Sequence, residues 1–141
     1  MVTTESYEQI AENLGELHPR LRNFQNQMLR EMDISLSEFH ILIFLNHRES
    51  VSQNELAEAM NVDKALISRQ TQTMVAKNLI QCRIDPSCHR RKLLTLGEQA
   101  YEILPQLQKI HECSLERLFS SVDERQLVTL KDILKGIIEN T

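Results

Sequence analysis

Lys64, Ser68, Arg69 and Gln72 are separated by steps of three and four residues, so on a helix their side chains project from one face. Arginine and lysine pair with O6 and N7 of guanine, glutamine with N6 and N7 of adenine, and serine bonds either kind of edge. A face of this composition can read bases in a DNA major groove, which admits one helix. With Ala65, these residues form the first candidate contact set. The second is the run His89-Arg90-Arg91-Lys92, whose cations can reach phosphates or a narrow minor groove. Each set has a plain alternative, since polar helix faces and charge runs are usually solvated surface. Taken alone, the helix face favours that alternative.

The elements that must position these residues shift the balance. Residues 52–60 read as a helix, with Ser52 as cap and Glu55 reaching back in a reciprocal capping box, and with Leu56, Ala57 and Met60 on one side. Asn61 and Val62 make a tight connection. Asp63 places a carboxylate at the positive end of the next helix, whose packed stripe is Ile67, Thr71, Met74 and Val75. Lys77 and Asn78 end that helix, with Asn78 at the left-handed position that asparagine tolerates. Residues 79–84 then read as a strand. The turn Asp85-Pro86-Ser87-Cys88 reverses the chain, and Leu93, Leu94 and Leu96 mark the returning strand, which leaves the cation run at the hairpin tip. Two short helices followed by a basic hairpin make a winged helix-turn-helix, and that order implies a double-stranded DNA reader.

Amphipathic helices flank this head. Ile10, Leu14, Leu17, Leu21, Phe24 and Met28 predict a long helix over residues 5–31, bent near Arg20 by Pro19. Tyr101, Leu104, Leu107, Ile110, Leu115 and Leu118 mark another, with Pro105 inside it. A last helix carries Leu127, Leu130, Ile133, Leu134, Ile137 and Ile138, with Ser121 and Glu124 as its capping pair. The expected fold is mainly α with a small β-hairpin wing. It forms one domain over residues 1–141, with a winged helix-turn-helix core at about 33–97 and helical dimerisation regions at 1–32 and 98–141. The flanks offer more apolar surface than the reading head can cover, which implies a homodimer. Twofold symmetry would set two recognition helices about one DNA turn apart, matching an inverted-repeat site.

Composition agrees. The 141 residues fit one domain, and 41% hydrophobic content supports a core. Only six side chains are Phe or Tyr and none is Trp, too few for a base-stacking platform for single strands or RNA. The net charge of −4 divides unevenly: residues 52–92 hold seven Lys or Arg and four Asp or Glu, a balance of +3, against −7 elsewhere. Phosphate attraction follows local charge, so an acidic body is compatible with DNA binding. The start Met1-Val2-Thr3-Thr4-Glu5 lacks the marks of a secretory signal, and the longest apolar run, residues 41–45, cannot span a bilayer. A cytoplasmic protein without membrane contact is expected. With three glycines, no phosphate loop and no nucleophile elbow or H-E-x-x-H helix, no enzyme or cofactor is expected. Cys82, Cys88 and Cys113 form no C-x-x-C pair and read as inert thiols, except that Cys88 lies among cations that favour thiolate and is the one candidate for redox response.

At these residues the chain resembles the MarR family of bacterial transcription regulators. The resemblance runs from about Leu14 to Ile138. It rests on Leu36-Ser37-Glu38-Phe39-His40-Ile41-Leu42, similar to a Leu-Thr-x-x-Gln segment, on Glu55-Leu56-Ala57 through Ser68-Arg69, and on Asp85-Pro86-x-x-x-Arg90-Arg91 leading to Leu96. It implies that Arg90 enters the minor groove, that residues 63–77 are the recognition helix, that terminal helices build a dimer, and that a small aromatic acid or phenol between dimer helices and head releases a repressor. Several positions depart from the family. Cys88 stands where an Asp commonly braces the wing, His89 where a second cation is frequent, Asn78 where Gly is preferred, Gly97 where Thr is usual and Ala100 where Gly is common. His40 resembles a zinc ligand of a metal-responsive branch, with His111 and Cys113 as further donors, though the set is incomplete and no metal site is assigned. The competing readings are a thiol-redox or zinc-responsive regulator of the same fold, and a winged-helix protein-interaction module without DNA binding.

Overall fold

The computed structural model describes residues 3–141, so Met1 and Val2 of the amino terminus lie outside it. Its elements run α1 (Thr4–Leu29), α2 (Leu36–Asn46), β1 (Val51–Ser52), α3 (Gln53–Met60), α4 (Lys64–Ala76), β2 (Ile80–Asp85), β3 (Cys88–Leu96), α5 (Glu98–Phe119) and α6 (Glu124–Glu139). The mainly helical winged helix-turn-helix is therefore present.

Helix α2 is the centre of the core. Phe39, Ile41, Leu42 and Leu45 are buried from it, and they pack with Leu56 of α3, Ile67 and Met74 of α4, Leu94 of β3, and Leu107 and Ile110 of α5. Its start is held by a reciprocal cap, in which the Glu38 amide donates to Ser35 Oγ at 3.1 Å and the Ser35 amide donates to Glu38 Oε1 at 2.9 Å. The neighbouring α3 keeps only half of the expected box. The Glu55 amide donates to Ser52 Oγ at 3.1 Å, but the Glu55 carboxylate turns away to Arg91. Asp63 caps α4 by accepting from the Leu66 amide at 2.7 Å. Asn61 and Asn78, at φ 55° and 59°, take the left-handed turns that end α3 and lead out of α4.

The sheet differs from the expected hairpin in two ways. A third strand, β1, pairs with β3 through Val51↔Leu94 and Ser52↔Leu93, giving the order β1-β3-β2. Two residues are too few to show a strand's period of two, which is why the sequence conceals it. Strand β3 also starts at Cys88, inside the expected turn, so the run His89-Arg90-Arg91-Lys92, expected between turn and strand, falls within the span of the strand. Pairing extends to the tip through Ile84↔Lys92 and Asp85↔Cys88, with an irregularity between Ile84 and Asp85.

At the other end of the hairpin, Gly97 starts α5 hard against the exit of α4. A Cβ there would lie 2.3 Å from the Asn78 carbonyl oxygen, so only glycine allows the Gly97 amide to reach Leu79 O at 2.9 Å while the Gln99 amide reaches Asn78 O at 3.1 Å.

Helix α1 continues through Pro19 for 26 residues, and α5 continues through Pro105 for 22. The cap of α6 is Asp123 with Gln126, in place of Ser121 with Glu124. Both pairs have the same spacing, and the true helix starts two residues later. Val75, expected in the packed stripe of α4, is 37% exposed.

Candidate nucleic-acid interface

Burial of Ile67, Thr71 and Met74 fixes how α4 sits, because these residues share the stripe that faces α2 and α3. Thr71 Oγ1 bridges to Gln53 Oε1 of α3 at 3.5 Å and also donates to Ser68 O at 3.0 Å. The opposite face is then presented outward: Lys64, Ala65, Arg69 and Gln72 are exposed, and Ser68 is half-buried at its edge. Among the described residues, Lys64 and Arg69 form no ion pair, so their charges are free for an outside partner. Arg69 also lines a groove of about 250 Å³ with Ser35, Ser37, Gln70, Thr73 and Lys77, where the start of α2 meets the outer side of α4.

The register divides the cation run: Lys92 pairs with Ile84, whereas His89, Arg90 and Arg91 lie in the irregular stretch between Lys92 and Cys88, which pairs with Asp85. All four are exposed, but their partners differ. Arg91 is paired with Glu55 of α3, and its Nε lies 3.9 Å from Asp85 Oδ2. Arg90 and Lys92 form no ion pair among the described residues. Asp85 in turn organises the tip, accepting from the Ser87 amide at 2.9 Å and the Ser87 hydroxyl at 2.7 Å. The hydroxyl bond first, then the amide bond, holds its carboxyl below the usual carboxylate range, with Arg91 and Arg83 adding to the effect against desolvation. The wing thus has carboxylate braces at Glu55 and Asp85, although Cys88 occupies the position where the resemblance placed an Asp. Sequence reading missed Glu55 in this role because its spacing to Ser52 already had an explanation.

Below the reading head, a cavity of about 850 Å³ lies between the end of α1, the exit of α4 and α5. Met28, Met32, Ile34, Leu79, Ile103 and Ile110 give it an apolar lining, and Glu31, Asp33, Lys77 and Lys109 supply charge. Lys77 lines both this cavity and the groove beside Arg69. Its Nζ donates to Glu38 Oε2 at 3.1 Å and Oε1 at 3.3 Å, which joins the last turn of the α4 segment to the cap of α2.

The candidate metal and redox residues are placed as follows. His40 Nε2 and Gln25 Oε1 are 3.1 Å apart, an interhelical bond between α2 and α1. Burial pushes the His40 imidazole below its ordinary value, and nearby Arg22, His18 and His111 add to that shift. Among the described residues, no group of three or more His, Cys, Asp or Glu is placed to hold a metal ion. Cys82 and Cys88 are exposed on the hairpin, Cys113 is half-buried on α5, and all three are free thiols. Among the described residues, no helix is long and apolar enough to cross a membrane.

Residues 34–92 match the model of the MarR family, a span that holds α2, α3, α4 and most of the wing. The chain is 26% identical over 107 residues to the uncharacterized HTH-type transcriptional regulator YdgJ of Bacillus subtilis, an alignment covering 76% of this chain and 65%, just under two thirds, of that protein. Its fold is similar to that of a mutant MarR from E. coli complexed with operator DNA, at TM-score 0.80 and 17% identity, covering 97% of this chain and 99% of that one. It is also similar to Bordetella bronchiseptica BpsR, described with a mechanism for regulation of DNA binding by 6-hydroxynicotinic acid, at TM-score 0.78 and 18% identity, covering 92% and 93%. The matched segment, the HTH-type relative and the shared winged helix agree with the residue pattern read along the chain: residues 34–92 are similar to the MarR family of transcription regulators, and the chain shares the winged-helix fold of the solved MarR structures.

Proposed function

We propose that two copies of this chain form a cytoplasmic repressor that occupies an inverted-repeat site on double-stranded DNA and leaves it when a small aromatic ligand binds. The observation that carries this reading is the contrast between the two sides of α4: one is buried through Ile67, Thr71 and Met74, and the other presents Lys64, Ala65, Ser68, Arg69 and Gln72, with its cations unpaired among the described residues. In this role the α4 side chains read base edges in the major groove. Arg90 enters the minor groove, His89 assists on the wing, and Arg91 supports it through Glu55.

The dimer follows from the ends of the chain. Helix α6 buries no residue in the single chain, yet Val128, Ile133, Leu134, Ile137 and Ile138 are exposed along it. Tyr7, Ile10, Leu14 and Leu17 of α1 are exposed as well. An apolar surface of this extent is suited to a partner with the same surface, and twofold pairing gives two reading heads for two half-sites. The cavity of about 850 Å³ supports the ligand step, since it is an open cleft of a size that admits a small molecule and borders the exit of α4. The solved relatives described with operator DNA and with 6-hydroxynicotinic acid are consistent with both parts of the reading.

The test is selection of bound fragments from random duplex DNA, followed by mobility-shift titration. A palindromic consensus is expected. Arg69→Ala should lose about 1 to 3 kcal/mol on that consensus and much less on altered sites, as removal of a base-reading contact requires. A uniform loss on all sequences would refute base reading by Arg69, and failure to retain any duplex would favour a protein-interaction module.

A further inference from the structure

The charged groups that line the large cavity are not equally available to a ligand. Lys77 is already committed: its ammonium lies on both oxygens of Glu38, whose carboxylate is largely buried and also caps α2. An anionic ligand that claimed Lys77 would leave that carboxylate without its cation in a poorly solvated site, an unfavourable exchange. The remaining charges on the lining are Glu31, Asp33 and Lys109, none of which forms an ion pair among the described residues. Two free carboxylates thus face one free ammonium around an apolar floor of Met28, Met32, Ile34, Leu79, Ile103 and Ile110.

We propose that this cavity selects cationic amphiphiles, with the apolar body of the ligand on that floor and a single ammonium or amidinium group held by Glu31 and Asp33. The inference rests on reading the cavity as the effector site and specifies the charge of what enters it. Burial of the apolar body supplies most of the affinity. The carboxylates determine the sign of the charge that is accepted, and the preference weakens as salt screens them.

Calorimetric titration of the full chain with three probes on one ring system tests this: 1-naphthylmethylammonium, neutral 1-naphthalenemethanol and 1-naphthoate. The ammonium is expected to bind about tenfold tighter than the naphthoate at low ionic strength, as one excess negative charge a few ångströms from the ligand provides in a partly wet site. A Glu31→Gln, Asp33→Asn double variant should remove that preference and leave the affinity of the neutral probe in place. Both positions are exposed, so the fold tolerates the change. Equal or tighter binding of naphthoate by the unaltered chain overturns the charge selectivity while leaving the cavity as a ligand site. A preference that survives in the double variant overturns the assignment to Glu31 and Asp33. Binding of none of the three probes overturns the reading of the cavity itself.

Discussion

The Arg91 guanidinium pairs with the Glu55 carboxylate across 36 residues of sequence, which fastens the wing strand β3 to helix α3. Both side chains are about half exposed, so the pair adds at most about 1 kcal/mol to folding. Its importance lies in where it holds the wing. Its charge is also already matched, which changes the expected behaviour of Arg91 on DNA. Arg91→Ala should weaken operator binding while lowering the salt slope by clearly less than the value of about one that loss of a phosphate contact gives. A double-mutant cycle with Glu55→Ala should show coupling between the two positions. A full unit of slope lost with or without Glu55 would identify Arg91 as a direct phosphate ligand.

Lys77 and Glu38 form the second tether, between the exit of α4 and the start of α2. The Glu38 side chain is only 11% exposed, whereas Lys77 is 39% exposed, so replacing the lysine strands the less solvated partner. Lys77→Met should destabilise the fold by about 1 to 3 kcal/mol, the cost of leaving a largely buried carboxylate without its cation and with only the Ser35 amide as donor. Urea unfolding at neutral pH measures this, and a loss below a few tenths would mean that water replaces the ammonium without penalty.

Acid should loosen the packing of α1 against α2. Burial holds His40 below its ordinary value of 6.5, so between the two values the unfolded chain binds more protons than the folded one. The contribution of neutral His40 is therefore fully present above about pH 6.5 and is lost as pH falls through the lowered folded value. Melting temperature should drop between pH 7.5 and pH 5, and His40→Gln should flatten that part of the profile. Asp85 has the same sign at lower pH: its carboxyl, held below 3.8, supports the wing until acid protonates it.

The helicity of α6 should depend on protein concentration. None of its 16 residues is fully buried within one chain, and an isolated helix of that length is marginal in water. In the proposed dimer a partner surface supplies the missing contacts, so dilution should lower the melting temperature. Leu134→Glu combined with Ile137→Glu should produce monomers by analytical ultracentrifugation and abolish binding to a two-half-site operator. A monodisperse dimer that persists in this variant would place the interface elsewhere.

The helix-turn-helix was legible in the sequence because its signals are local. Asp63 before the first turn of α4, Asn78 beyond its end and the stripe Ile67, Thr71, Met74 each act within a few residues, and a helical period needs only one turn to show. The same holds for the amphipathic ends, where spacing alone puts Leu134 and Ile137 on one apolar face. Partnership across the chain is a different matter. Nothing near Arg91 announces Glu55, and Glu55 itself already had a local explanation as a cap; only the packing of α3 beside β3 chose between the two roles. Folding likewise gave Arg91 the carboxylate of Glu55 while leaving Arg90 without an ion pair among the described residues, and brought Lys77 to Glu38 from 39 residues away. Residue types and periods specified which helices form and which faces are apolar, since these depend on neighbours along the backbone. Which charges remain free to meet a ligand or DNA depends on distances through space, and those were decided only when the elements closed around α2.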